Sequence, residues 1–244
     1  MVDGLVGSEM CIRDRPYAPP LTDMRFTLND VIGLENLTRL PGFEAVEASL
    51  SDQILEEAGK FSSNVLAPLN FEGDRSGAKI ENGVVRPASG FGEAYKQWAD
   101  AGWNSVPFDQ AYGGQGLPWT LTTAIWEMWE SSNMAFSLCP LLTQAAIDAL
   151  ERHGSEEQKS TYLEKLVSGE WTGTMNLTEP QSGTDLGAIR TSSVRDGDRY
   201  RIKGQKIYIT WGDHDMTDNI VHLVLARSPD GPPGTRGLSL FIVP

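Results

Sequence analysis

The residues best suited to chemistry lie in one run, Met175-Asn176-Leu177-Thr178-Glu179-Pro180-Gln181-Ser182-Gly183-Thr184-Asp185, where a strand-like stretch passes into a loop of small hydroxyl residues. Such a loop presents backbone N–H groups. With the hydroxyls of Thr178, Ser182 and Thr184, and no Cβ at Gly183 to hinder close approach, it could hold a planar heterocycle or a phosphate. The same residues could instead form a capped turn, in which Thr178 and Asp185 satisfy their own neighbours. His214 stands between Asp213 and Asp215, as a base flanked by carboxylates would, or as a solvated loop histidine would. His153, His214 and His222 do not cluster. Cys11 and Cys139 form no Cys-x-x-Cys pair, so no metal-ligand spacing is present. From composition, Tyr208 and Trp211 read as the core of a β-domain, and Trp126 and Trp129 as packing residues of an apolar helix.

These groups are positioned by a chain of 244 residues, 40% hydrophobic and 22% charged, long enough for one large or two modest domains with a buried core. Its 20 Lys and Arg against 33 Asp and Glu leave a net charge of −13. An extended polyanion meets repulsion there, so nucleic acid is not an expected partner. No stretch reaches the ~18 consecutive apolar residues of a membrane span, and residues 1–15 lack the apolar core of a signal peptide. With the sparse cysteines, this predicts a cytoplasmic protein.

Residues 1–15 show neither helical nor strand periodicity and are set aside as a non-native or disordered tail. Residues 16–42 read as an arm, Pro-rich and extended at first, with a short helix over 30–40. Val46, Leu50, Ile54, Leu55, Ala58 and Phe61 recur at three- and four-residue steps, which predicts an amphipathic helix. Residues 70–90 read mostly as turns, with a hairpin at Glu81-Asn82-Gly83. A helix is expected over 91–101, a loop at Gly113-Gly114-Gln115-Gly116, and two apolar helices over 117–134 and 135–153. Ser155 should cap a further helix that closes near Gly169. Beyond Gly169 the period changes to two, predicting strands at 171–177, 191–195, 200–210, 220–226 and 237–243. The expected fold class is α+β, with an N-terminal all-α helical domain, 43–169, followed by an antiparallel β-barrel or sheet, 170–244. That sheet is expected to be incomplete, since its last strand runs to Pro244 without a closing element.

The run 175–185 resembles the flavin-binding loop of the acyl-CoA dehydrogenases, whose pattern is close to M-x-L-T-E-P-x-[SA]-G-[ST]-D. Three further matches stand in the family's order. They are Tyr112-Gly113-Gly114-Gln115-Gly116-Leu117-Pro118, then Gly154-Ser155-Glu156-Glu157-Gln158-Lys159 leading to Leu166-Val167-Ser168-Gly169-Glu170-Trp171, then Lys203-Gly204-Gln205-Lys206-Ile207-Tyr208-Ile209-Thr210. The arm, with Pro19-Pro20-Leu21-Thr22-Asp23-Met24-Arg25-Phe26, resembles the N-terminal extension of a subgroup that includes enzymes named for 3-methylmercaptopropionyl-CoA.

The resemblance implies FAD as cofactor and α,β-desaturation of an acyl-CoA thioester, with hydride passing to flavin N5 and electrons to an electron-transfer flavoprotein, as in fatty-acid β-oxidation. An acyl-CoA oxidase, or a non-catalytic homologue that binds acyl-CoA or flavin, shares this part of the pattern. Carried over by position, Met175, Leu177, Thr178, Gly183 and Thr184 would lie against the flavin, with Thr178 at its pyrimidine edge. Thr184 stands where the family usually has Ser, and would also reach the substrate's CoA pyrophosphate. Tyr208, where many members have Trp, would stack on the flavin; Ile209 lies beside it, and Thr210 would bond near N5 and O4. Trp211 takes a place often held by Asn. Glu179 would be structural, tying the loop through its carboxylate. The family's base is a glutamate of a C-terminal four-helix domain, which is expected to be absent here. No catalytic residue is therefore assigned, and none is assigned to a metal. The resemblance also implies a homodimer or homotetramer.

Overall fold

In the computed structural model, which describes residues 16–44 and 46–244, the helical part is gathered around one long element, α5. The arm is helical where an extended segment is expected. α1, Leu21–Phe26, runs on as a π-helical stretch, Thr27–Ile32, and turns at Gly33 into a 3-10 segment, Leu34–Arg39. The reason is burial: Met24 and Leu28, four positions apart on one helical face, sit in the core, and Leu34 joins them beyond the turn at Gly33. α2, Ala48–Phe61, continues through a π-helical Ser62–Leu66 into α3, Ala67–Ser76, so the start of the expected turn region is helix. The hairpin of β1, Lys79–Glu81, and β2, Val84–Arg86, forms as expected. Asn82 (φ 53°) and Gly83 (φ 81°) supply the two left-handed residues its tight turn requires.

α4, Phe91–Asp100, presses Phe91, Tyr95 and Trp98 onto α5, Trp119–His153. Trp98 and Trp103 both meet Trp129 edge-on at 5.7 Å. Trp129 and Phe136 are thus core residues. α5 spans the two helices expected from the sequence, and its interruption falls at Asn133 (φ −159°, ψ 86°) rather than at Pro140. Asn133 restarts the helix as a cap: its Oδ1 accepts from Phe136 N–H at 3.0 Å, and its Nδ2 donates to Leu66 O, at the end of the π-helical stretch, at 3.1 Å. One buried side chain so joins the irregular points of two helices. Asn133→Leu should cost about 2–3 kcal/mol by urea denaturation, from a lost cap and an unpaired buried carbonyl; a change under ~0.5 kcal/mol would remove Asn133 from this role.

α6, Glu156–Ser168, begins in a capping box. Gln158 N–H donates to Ser155 Oγ at 3.2 Å and Ser155 N–H to Gln158 Oε1 at 2.9 Å; Gly169 (φ 81°) closes it.

The sheet holds five strands: β3, Thr172–Asn176; β4, Ser192–Asp196; β5, Arg199–Lys203; β6, Ile220–Arg227; β7, Leu238–Val243. It is open, and it is mixed rather than wholly antiparallel. β6 is its axis, paired parallel with β3 (Thr172↔Ile220 to Asn176↔Val224) and antiparallel with β7 (His222↔Val243 to Arg227↔Leu238). β4 joins the same edge of β6 as β3, at Ser192↔Arg227, and pairs antiparallel with β5. The chain therefore leaves that edge after Asn176, loops out through 177–191, and returns to it at 192. Alternation alone does not carry this, because it fixes which face a side chain takes and not which neighbour a strand pairs with or in which direction. β3 packs directly on α5, where Gly173 lets the backbones approach: a Cβ there would stand 2.7 Å from that of Ala146. Among the described residues, no helix is long and apolar enough to cross a membrane.

Candidate functional site

The excursion 177–191 is held from inside by one carboxylate. Glu179 is buried, its side chain 3% exposed. Oε1 accepts from Lys206 Nζ at 2.9 Å and Thr191 N–H at 3.0 Å, and Oε2 from Arg190 N–H at 2.8 Å and Gln181 Nε2 at 2.5 Å. Burial works to raise its pKa, but the donors around it, namely the nearby Thr191 hydroxyl, the two backbone N–H groups and Lys206, overcome that and hold it down at about 2. A reciprocal pair, Glu179 N–H to Ser182 O at 2.8 Å and Ser182 N–H to Glu179 O at 3.0 Å, tightens the Pro180-Gln181 turn. Farther along, the Arg227 guanidinium reaches the carbonyls of Ile189 and Gly234, each at 2.8 Å, and of Gly187.

The two sequence readings of this loop divide it between them. Ser182 and Asp185 are consumed locally: Ser182 Oγ donates to Asp185 O at 2.6 Å, and Asp185 Oδ1 accepts from Gly187 N–H at 2.9 Å. Ser182, 2% exposed, is therefore not available to a ligand. Thr178 is half-buried, Gly183 and Thr184 are exposed, and a Cβ at Gly183 would meet nothing within 4 Å. Among the described residues no protein acceptor meets the backbone N–H of Gly183 or Thr184. Met175 and Leu177, half-buried, lie at the end of β3 leading into this loop.

The second candidate segment is brought beside the first, but not as a strand. β5 ends at Lys203 and 204–210 crosses the loop instead, because Gly204 packs against Thr191, where a Cβ would stand 2.1 Å from Oγ1. Ile207 N–H donates to Thr178 O at 3.0 Å, and Lys206 Nζ also reaches Leu177 O at 2.9 Å. Tyr208 is 89% exposed with a left-handed backbone (φ 57°), so it is not core. Ile209 is half-buried and Thr210 exposed. Trp211, read from composition as core of the β-domain, instead lies half-buried against the helical core, because its partners come from there: its ring stacks on Phe91 at 6.1 Å and its Nε1–H donates to Ala135 O at 2.9 Å.

His214 is neither a solvated loop residue nor a base. It is 6% exposed; Nδ1 accepts from Met216 N–H at 3.2 Å, which leaves Nε2 to carry the proton toward Thr172 Oγ1 at 3.0 Å. Burial, reinforced by His222 and only partly opposed by Asp213, pushes its pKa down to about 4. At neutral pH it is an uncharged strut between the 211–216 turn and β3. Asp215 pairs instead with Arg86 of the hairpin.

Sequence reasoning did not single out Lys206 and Arg227. Lys206 lies 27 positions from Glu179 and Arg227 lies 40 from Gly187, separations at which no local pattern signals a pair. Nor did it foresee the Trp211 anchor.

The profile described as acyl-CoA dehydrogenase, N-terminal domain, matches residues 51–170, and that described as acyl-CoA dehydrogenase, middle domain, matches 174–244. The chain is 47% identical over 229 residues to 3-methylmercaptopropionyl-CoA dehydrogenase of Ruegeria pomeroyi, covering 93% of this chain and 39% of the relative. Among solved structures it is similar to an acyl-CoA dehydrogenase from Geobacillus kaustophilus (TM-score 0.68, 25% identity, 82% of this chain and 49% of that one). It is also similar to a glutaryl-CoA dehydrogenase from Mycobacterium smegmatis solved in complex with FADH2 (TM-score 0.63, 25% identity, 80% and 45%). The chain spans about two fifths of the length of the curated relatives it matches. Two consecutive domain profiles, together with a helical domain leading into an open mixed sheet, place the chain in the acyl-CoA dehydrogenase family.

Proposed function

We propose that this chain supplies the N-terminal helical part, 43–169, and the middle sheet part, 170–244, of an FAD-dependent acyl-CoA dehydrogenase, with 16–42 as an appended arm. The observation that carries this is the outward donor set of the site: the hydroxyls of Thr178, Thr184 and Thr210 and the unmet N–H groups of Gly183 and Thr184, beside an exposed Tyr208 ring. A flavin presents acceptors along its pyrimidine edge and phosphates at its tail, and needs donors and a flat neighbour. The residues present fit that group.

When bound, FAD supplies the hydride-accepting chemistry. The chain's own part is to hold and orient it. Thr178 would donate at the pyrimidine edge, with Met175 and Leu177 supplying apolar contact from the end of β3. Thr210 would donate on the N5 side, and Tyr208 and Ile209 would lie against one face. Gly183 leaves room for close approach, and Thr184 would serve both the cofactor's phosphate side and the CoA pyrophosphate. No described residue is assigned as base; Glu179 is committed to the loop. The substrate is an acyl-CoA, and the identity to the Ruegeria relative supports 3-methylmercaptopropionyl-CoA. Electrons pass on to an electron-transfer flavoprotein, and the assembled enzyme is a cytoplasmic homodimer or homotetramer.

Titration of the purified chain with FAD, read by flavin fluorescence, tests this. Weak but saturable binding is expected, weakened about tenfold by joint replacement of Thr178 and Thr210 with Val, as loss of two ligand hydrogen bonds predicts. Binding that the double replacement leaves unchanged overturns the assignment, as does absence of saturable binding.

A further inference from the structure

The segment that presents Tyr208 and Thr210 has no sheet ladder of its own. Past Lys203 its backbone leaves β5, and two non-glycine residues, Tyr208 (φ 57°) and Trp211 (φ 52°), take the left-handed conformation. For bulky side chains that conformation is disfavoured, and it persists only where the surroundings determine it. On the N-terminal side the determinant is Lys206, held by Leu177 O and Glu179, with Ile207 N–H on Thr178 O. On the C-terminal side it is Trp211. Its ring lies nearly parallel to Phe91 (25°), meets His214 edge-on at 5.6 Å, and through Nε1–H holds Ala135 O, two residues beyond the break in α5. Phe91 is in turn locked edge-on against Phe136 at 5.9 Å. The Arg86–Asp215 pair ties the same turn to the hairpin, at an exposed and weaker point.

We infer that Trp211 is a positioning residue: it clamps the crest 207–210, of which Tyr208 and Thr210 are exposed, to the second half of α5, and so sets the face those two residues offer to a planar ring. The clamp stands on geometry alone; its consequence for a ring rests on the flavin reading above. The helical domain, through one indole N–H, thereby controls a surface belonging to the sheet.

Hydrogen exchange on the full chain tests the clamp. Ile207 N–H, on Thr178 O, and Gly212 N–H, on Ile209 O, are its reporters. Trp211→Phe keeps a ring against Phe91 and loses only the N–H. It should speed exchange at those two amides about tenfold while leaving the β6 amides at their wild-type rates. Trp211→Leu, which also loses the stacking, should speed them further. Unchanged reporters, or an equal acceleration in β6, overturn the inference, since the second result marks a merely structural residue. FAD titration of the same proteins separates the two readings. A wild-type chain that binds no FAD sinks the flavin reading while exchange still decides the clamp; wild-type binding that Trp211→Phe leaves untouched sinks the consequence drawn from it. About tenfold weaker binding by Trp211→Phe, with β6 exchange unchanged, supports both.

Discussion

Glu179→Gln should remove about 3 kcal/mol of folding stability at pH 7. A carboxylate held at about 2 against an ordinary 4.5 is stabilised by roughly that amount in its charged form. The mutation also strands Lys206, whose side chain is only 10% exposed, beside a neutral amide. Breaking a buried pair from one side typically costs 3–5 kcal/mol, while the surrounding acceptor sites survive in part on the amide oxygen. The loss is expected at neutral pH because the folded-state pKa is depressed: the contribution is complete above the unfolded value of 4.5 and disappears only as pH falls through about 2. Lys206→Met should cost a similar amount. Urea denaturation at pH 7 measures both, and a loss below ~1 kcal/mol would falsify the carboxylate's role as the inner staple of the loop. The defect should be felt first in 178–191 and 204–210, since those are the segments Glu179 joins.

Acid should weaken the fold in two successive windows, and the first to open belongs to His214. Its pKa is about 4 when folded and 6.5 when free, so protons bind preferentially to the unfolded chain. The stabilisation is complete above 6.5, is lost as pH falls through about 4, and amounts to about 3 kcal/mol across that span. His222, whose Nδ1 lies 2.7 Å from Thr174 Oγ1, is shifted down by burial as well and adds to the same slope. Glu179 contributes nothing to that slope above about pH 4.5, where its own loss begins. His214→Gln can keep both neutral hydrogen bonds, accepting from Met216 N–H and donating to Thr172, yet has no proton to gain. Unfolding free energies measured from pH 7 to 5 should fall steeply in the wild type and with a clearly shallower slope in the variant. Parallel curves would mean that His214 is not the titrating strut.

Local order was legible wherever a few adjacent residues decide the outcome. Ser155 and Gln158 specify their capping box within four positions, and Asn82-Gly83 its hairpin turn. The helix-to-strand change of period at Gly169 locates the passage into the sheet, and the loop run with its Gly183 opening is readable as a donor surface. Tertiary structure decided what depends on partners far along the chain. β3 and β4 both run parallel to β6 across an excursion of 15 residues, a choice of partner and direction that alternation does not encode. Tyr208 and Trp211, three positions apart and both aromatic, part company: one is open to solvent and the other half-buried against Phe91, because the carbonyl and the ring that receive Trp211 come from the helical domain. His214 reads as solvated beside two aspartates, and becomes a neutral strut only when β3 and the 211–216 turn close over it. The sequence by itself therefore determined the elements and the chemistry a loop could offer. The fold decided which of those groups face outward, because burial and long-range hydrogen bonds, unlike caps and periodicities, are properties of residues that meet only in three dimensions.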